Sequence, residues 1–165
     1  MGKYNKVAIT TYIYRNRKSL LYCLMMYPET VNKEPSKRTP WINLEPGKIF
    51  IMGRSIPENP GEFYRPIHAW ISEYAHSYSG KSKIDLGFEY INTSSIKWIF
   101  TILKELSELN EMSENARVTW YYEIGDDDMC ELGFILRSLV DCPFVVVEVN
   151  EMNTGKYKKI SSGIE

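Results

Sequence analysis

The sequence predicts a single compact α/β domain built on a mixed, mostly parallel β-sheet. Three observations carry this reading. From Lys83 to Val149, runs with a two-residue apolar period alternate with runs of helical period. The helical runs are long enough to serve as crossovers, so the strands they join belong to right-handed βαβ units. A hairpin signal stands ahead of them, and 165 residues suit one domain with a sizeable core.

The elements follow in order. Residues 28–40 read as a linker, broken by Pro28, Pro35 and Pro40. Trp41 to Met52 reads as a hairpin: Ile42 and Leu44 alternate, Glu45-Pro46-Gly47-Lys48 turns the chain, and Ile49 to Met52 returns. Its first strand is expected antiparallel at an edge. Gly53 to Gly61 is a polar connection. A helix over 62–76 places Phe63, Ile67, Trp70, Ile71 and Tyr74 on one face. It begins either at Asn59, with Pro60 in its first turn, or at Arg65-Pro66, because a proline inside a helix removes one bond.

Lys83 to Ile91 alternates as a strand and leads directly into a helix from Thr93 to about Asn110. The main stripe of that helix is Ile96, Ile99, Phe100, Leu103 and Leu106. A second stripe of Trp98, Ile102 and Leu109 is either a wide buried face or a partner-docking surface. Val118 to Ile124 is the next strand. Gly125 and the acids Asp126, Asp127 and Asp128 introduce a helix to about Val140, with Leu132, Ile135, Leu136 and Leu139 as its stripe. Gly133 weakens it by roughly 1 kcal/mol relative to Ala. Phe144 to Val149 is a β-branched run with the look of a buried strand, and the polar tail beyond it is expected to fray. The order is ββ-α-β-α-β-α-β, with the domain over 36–150, a basic extension over 1–35 and a polar tail over 151–165.

Composition limits function. With 44% hydrophobic and 25% charged residues and a net charge of -1, the chain lacks the positive balance of a nucleic-acid binder. The charge is uneven: residues 1–40 hold eight Lys or Arg against Glu29 and Glu34. The extension is either an interaction tail or a disordered leader. Its apolar stretch Leu20–Tyr27 is too short to span a bilayer, which takes roughly 20 residues, so no membrane insertion is expected. Cys23, Cys130 and Cys142 form no paired pattern, which favours a reducing compartment and a cytoplasmic location.

No glycine-rich phosphate cradle is present. His68 and His76 lie eight residues apart without a second ligand near either, so no metal is expected there. Asp126 to Asp128 serve as a helix cap and acidic first turn, as metal ligands, or as partner-facing charge. No nucleophile and base converge in the sequence, and neither an enzyme nor a cofactor is expected. A small metal-assisted enzyme using Asp126–Asp128, or a nucleotide-binding module, is the alternative.

Asn92-Thr93-Ser94-Ser95 lies where a strand delivers the chain to a helix N-terminus. Such residues are preferred caps. A phosphate there would also meet unpaired N–H groups and the positive end of the helix.

Three segments carry a family resemblance: Gly53-Arg54-Ser55-Ile56-Pro57-Glu58-Asn59, Leu86-Gly87-Phe88-Glu89-Tyr90-Ile91-Asn92-Thr93-Ser94-Ser95-Ile96-Lys97 and Trp120-Tyr121-Tyr122. In this order they resemble the SiaC-type regulatory phosphoproteins, formerly a domain of unknown function, over Ser36 to Val149. Gly125 to Asp128 fits the acidic loop common in these proteins. The resemblance implies a STAS-like architecture, akin to anti-sigma-factor antagonists. It implies a protein–protein interaction switch in which a serine/threonine kinase phosphorylates Thr93 and a PP2C-type phosphatase removes the phosphate. Asn92, Ser94, Ser95 and Lys97 would surround the phosphoacceptor, with Gly53, Ser55, Pro57, Glu58 and Asn59 as the neighbouring loop. The implied client is a diguanylate cyclase linked to biofilm formation, although a regulatory domain can keep its form while its client changes. Residues 1–35 extend beyond the usual start of such domains.

Overall fold

A computed structural model describes residues 28–78, 80–108 and 115–163. The elements are β1 (Val31–Lys33), β2 (Trp41–Glu45), β3 (Lys48–Ser55), α1 (Pro60–Ser77), β4 (Ser82–Ile91), α2 (Thr93–Glu108), β5 (Ala116–Glu123), α3 (Asp127–Ser138), β6 (Phe144–Val149) and α4 (Thr154–Ser162). Among the described residues the strands form one sheet in the order β1 to β6. β1, β2 and β3 pair antiparallel, and β3 to β6 pair parallel. The α/β class, the alternation after residue 83 and the hairpin all stand as predicted.

Period-two alternation gives the sheet two different faces. Ile42, Leu44, Ile49, Ile51, Ile84, Leu86, Phe88, Val118 and Trp120 point to the face covered by α1, α2 and α3, where the main core forms. Phe50, Met52, Tyr121 and Val149 point to the other face and meet Met152, Tyr157 and Ile160. That second layer corrects the expected frayed tail. Asn153 caps α4 through Lys156 N, Gly163 ends it at φ 71°, and Tyr157 is 1% exposed. The polar composition hid it because only one flank of a nine-residue helix is apolar.

Three further differences have physical causes. The linker contains β1, a three-residue strand too short to show alternation, so β2 is interior and not an edge. β3 continues through Gly53 to Ser55, with a register shift between Gly53 and Arg54 and φ 120° at Gly53, a conformation suited to glycine. Among the described residues β6 is an edge strand with Val145 45% exposed, although its β-branched run reads as buried. Helix α1 starts at the earlier of the two candidates: Asn59 Oδ1 accepts from Glu62 N at 3.1 Å, and Pro60 opens the helix. Pro66 is tolerated inside because it lies on the exposed side, where the carbonyl it leaves unpaired reaches water. Residues 1–27, including Cys23 and the apolar stretch, lie outside the described residues. Cys130 and Cys142 are free thiols.

Candidate functional site

The parallel strands β3 to β6 end along one edge of the sheet, the edge where open α/β sheets usually place their sites. The loop after β3, the start of α2 and the start of α3 all lie there. The site therefore gathers most of the residues singled out from the sequence.

Asn92 turns β4 into α2. Its N–H donates to Ser55 O at 3.0 Å, its Oδ1 accepts from Ser95 N at 2.8 Å, and its carbonyl accepts from Ile96 N at 3.0 Å. Asn92 is thus the cap, and one residue suffices. Thr93 and Ser94 are left in the first turn with exposed side chains, and their amides have no acceptor within the helix. Lys97 follows one turn later and is exposed. Ser95 points the other way and is 0% exposed.

Behind this turn lies a buried set of hydroxyls. Ser55 Oγ and Tyr64 Oη are 2.7 Å apart, both fully buried. Ser95 Oγ stands beside the same phenol without a well-formed hydrogen bond of its own. Burial pushes the Tyr64 phenol up to about 12 despite the lowering influence of Ser55 and Ser95. It is a neutral donor at any physiological pH. Tyr64 is absent from the sequence-derived site. The spacing Tyr64, Ile67, Ile71, Tyr74 would have placed it on the buried flank in preference to the half-buried Phe63.

The neighbouring loop residues have defined structural tasks. Pro57 is buried, Ile56 N donates to Arg38 O at 2.8 Å, Glu58 pairs with Arg38, and Asn59 caps α1. Gly53 lies apart from Thr93, on the sheet face beneath α4, where Tyr157 Cε2 is 3.8 Å from the position of a β-carbon.

The expected partner stripe falls mostly inside. Ile102 is 2% exposed within the main core, which corrects its reading as docking surface. Trp98 is half-buried, stacked on Tyr64 at 6.3 Å and edge-on to His68 at 5.9 Å. This stripe joins α2 to α1, with His68 Nε2 2.7 Å from Glu105 Oε2 across the same seam. Leu109 lies outside the described residues. The wide-buried-face alternative is the one that describes Trp98 and Ile102.

Asp126 caps α3, its Oδ1 accepting from Met129 N at 3.0 Å, and Asp127 and Asp128 fill the first turn. A shallow cavity of about 540 Å³ joins these acids to Glu89 and Glu123. Three of the five carboxylates already have protein donors: Asp126 has Met129 N, Glu123 has Met152 N at 2.9 Å, and Glu89 has the Tyr157 hydroxyl at 2.5 Å. They are spread over separate donors and do not converge on one point. Among the described residues no group of three His, Cys, Asp or Glu side chains is placed to hold a metal ion. No described helix is long and apolar enough to cross a membrane.

The arrangement defines an α/β domain that exposes a hydroxyl-bearing helix start backed by a buried set of hydroxyls. Comparison with known proteins makes the class specific. Residues 33–149 match the SiaC family regulatory phosphoprotein profile, and the chain belongs to that family. SiaC of Pseudomonas aeruginosa is similar in structure, with a TM-score of 0.68 at 25% identity over 74% of this chain and 100% of that one. The solved complex of the diguanylate cyclase SiaD with its activator SiaC, from the same organism, contains a chain matching at TM-score 0.67 and 26% identity, over 72% of this chain and 99% of that one. An uncharacterised protein of P. aeruginosa strain UCBPP-PA14 is 28% identical over 100 residues, 61% of this chain and 79% of the relative. The family match ends at residue 149, before α4 begins.

Proposed function

We propose that this chain is a regulatory partner of a diguanylate cyclase, and that phosphorylation of Thr93 switches its docking. A serine/threonine kinase adds the phosphate, a PP2C-type phosphatase removes it, and the output is control of biofilm formation. The observation that carries the reading is the exposed Thr93 hydroxyl in the first turn of a helix already capped by Asn92. Its side chain is free for modification because the cap does not need it. The family membership and the SiaD–SiaC complex support the cyclase as client.

The mechanism is local electrostatics. A phosphate on Thr93 brings about -1.5 to -2 charges to the positive end of α2. The amides of Thr93 and Ser94 and the Lys97 ammonium favour it there. The same charge adds desolvation cost and repulsion against any client seated beside it. A contrast of about 1–3 kcal/mol between the two states corresponds to roughly a 5- to 150-fold change in affinity.

Mass spectrometry of the natively expressed protein tests the modification, with phosphate expected on Thr93 under some growth conditions. Purified wild type and Thr93→Glu are then compared for binding to the cyclase. Equal affinities would remove the charge-exclusion mechanism.

A further inference from the structure

We propose that two copies of this chain pair through their β6 strands, antiparallel about a two-fold axis at Val146, into one continuous sheet. This pairing does not depend on the client reading above. Among the described residues the sheet has two edges. β1 is three residues long and carries Lys33, so it offers little to a further strand. β6 is six residues long, contains neither proline nor lysine, and leaves Val145 45% exposed. A strand of this kind is a template for another strand.

The free hydrogen-bonding groups of β6 follow from its pairing with β5. Pro143 O accepts from Val118 N at 2.8 Å and Val149 O accepts from Ile124 N at 2.9 Å, and the parallel register between them is unbroken. The odd-numbered residues therefore bond to β5, while the N–H and C=O groups of Phe144, Val146 and Glu148 point outward. An antiparallel copy uses all three when Val146 opposes Val146 and Phe144 opposes Glu148. Directly opposed side chains share a face. On the face that carries α4, Val145 then meets Val147 of the other copy and loses its exposure.

The overlying helix obeys the same axis. α3 faces the sheet through Gly133, which lies against Trp120, and through Leu136. Asp127, Cys130, Phe134 and Arg137 form one flank, about 40–120° around the helix from Gly133. That flank lies over β6, because Cys130 neighbours the Tyr122 side chain, whose hydroxyl donates to Glu148 at 3.3 Å. Phe134 is 52% exposed, and Arg137 is exposed although it points only about 40° from the sheet-facing direction. The flank therefore overhangs the strand edge.

It runs from acid to base, with Asp127 in the first turn and Arg137 in the last, and neither forms an ion pair among the described residues. This order also suits the dipole of α3 itself, but the exposed Phe134 between the charges does not serve the dipole. Antiparallel pairing of two such flanks sets Asp127 against Arg137 and Cys130 against Phe134, centred near residue 132. That centre is level with Val146. Val146 pairs in register with Trp120, whose ring lies against Gly133 and whose Nε1 donates to Met129 O at 2.9 Å. Two strand residues and five helix residues each cover about 7 Å from that level, so Arg137 also comes over Glu148 of the other copy. Strand and helix share one two-fold axis, which makes a second copy the fitting occupant in preference to an unrelated strand.

Sedimentation equilibrium of the purified full chain tests the pairing, and a species of twice the chain mass is expected at micromolar concentration. Val145→Lys and Arg137→Glu are each expected to weaken it by roughly tenfold or more, with unchanged far-ultraviolet circular dichroism. Asp127→Lys combined with Arg137→Glu is expected to recover a substantial part of the pairing, because opposite charges meet again. The register is read by mixing Val145→Cys with Val147→Cys chains under oxidising conditions: peptide mass spectrometry should find the 145–147 disulfide in preference to 145–145 or 147–147. A chain that stays monomeric, a dimer unmoved by Val145→Lys or by Arg137→Glu, a double variant without recovery, or a predominant 145–145 link each overturns the proposal.

Discussion

Replacing Gly133 with Ala sets two effects of known size against each other. A glycine inside α3 costs the helix about 1 kcal/mol relative to alanine, so propensity alone makes Gly133→Ala stabilising. The packing opposes it. A β-carbon at position 133 would lie 2.5 Å from Trp120 Cδ1, 2.9 Å from Nε1 and 3.1 Å from Cγ. The indole cannot step aside cheaply: Trp120 is 0% exposed, lies 5.5 Å from the Phe88 ring, and donates from Nε1 to Met129 O at 2.9 Å. Overpacking of this kind costs roughly 1–3 kcal/mol, and weakening the indole hydrogen bond adds about 1. The net is a loss of about 1–3 kcal/mol, or a melting point lowered by roughly 2–12 °C for a chain of this size. Urea unfolding followed by far-ultraviolet circular dichroism measures it. Repeating the substitution in a Trp120→Phe background isolates the clash, since the smaller ring leaves room and the propensity gain should then emerge. A Gly133→Ala protein as stable as wild type would refute the reasoning.

The buried hydroxyls behind Thr93 make a second test: Tyr64→Phe leaves Ser55 and Ser95 in a fully buried site without the phenol, and an unfolding free energy lowered by about 1–3 kcal/mol is expected in urea. Asp85 supplies a pH test. Its carboxyl is held above the usual aspartate range, chiefly by burial and against the pull of Lys83 at 3.1 Å, so the folded state binds the proton more tightly than the unfolded one. Stability from this group is therefore present below the unfolded pKa and lost as pH rises through the folded one. Asp85→Asn should remove that fall, giving a flatter stability profile above pH 4; an unchanged profile by urea titration would dismiss the carboxyl as its source.

Much of the fold was legible because its signals are local. Alternation fixed β4 and β5, the hairpin turn at Pro46-Gly47 joined β2 to β3, and Asn59, Asn92 and Asp126 stood among the candidate caps and do cap their helices. What escaped was set by non-local packing. α4 needed a sheet face to pack on, built by Phe50, Met52, Tyr121 and Val149, and beside it Gly87 leaves room for Met152, whose Cε would lie 2.6 Å from a β-carbon there. β6 reads as buried from its valines, but nothing in six residues records that, among the described residues, no strand lies beyond it.

The second stripe of α2, left open between a buried face and a docking surface, shows the same limit. Helix α2 carries apolar residues on both flanks, Trp98 and Ile102 on one, Ile96 and Phe100 on the other. Periodicity finds both flanks but gives no rank to them, because which one is covered depends on the neighbouring helices. α1 lies close enough for Tyr64 and His68 to cover Trp98. On α3, Ile135 and Leu139 stay 47% and 52% exposed, and full burial would be worth about 1–2 kcal/mol for each.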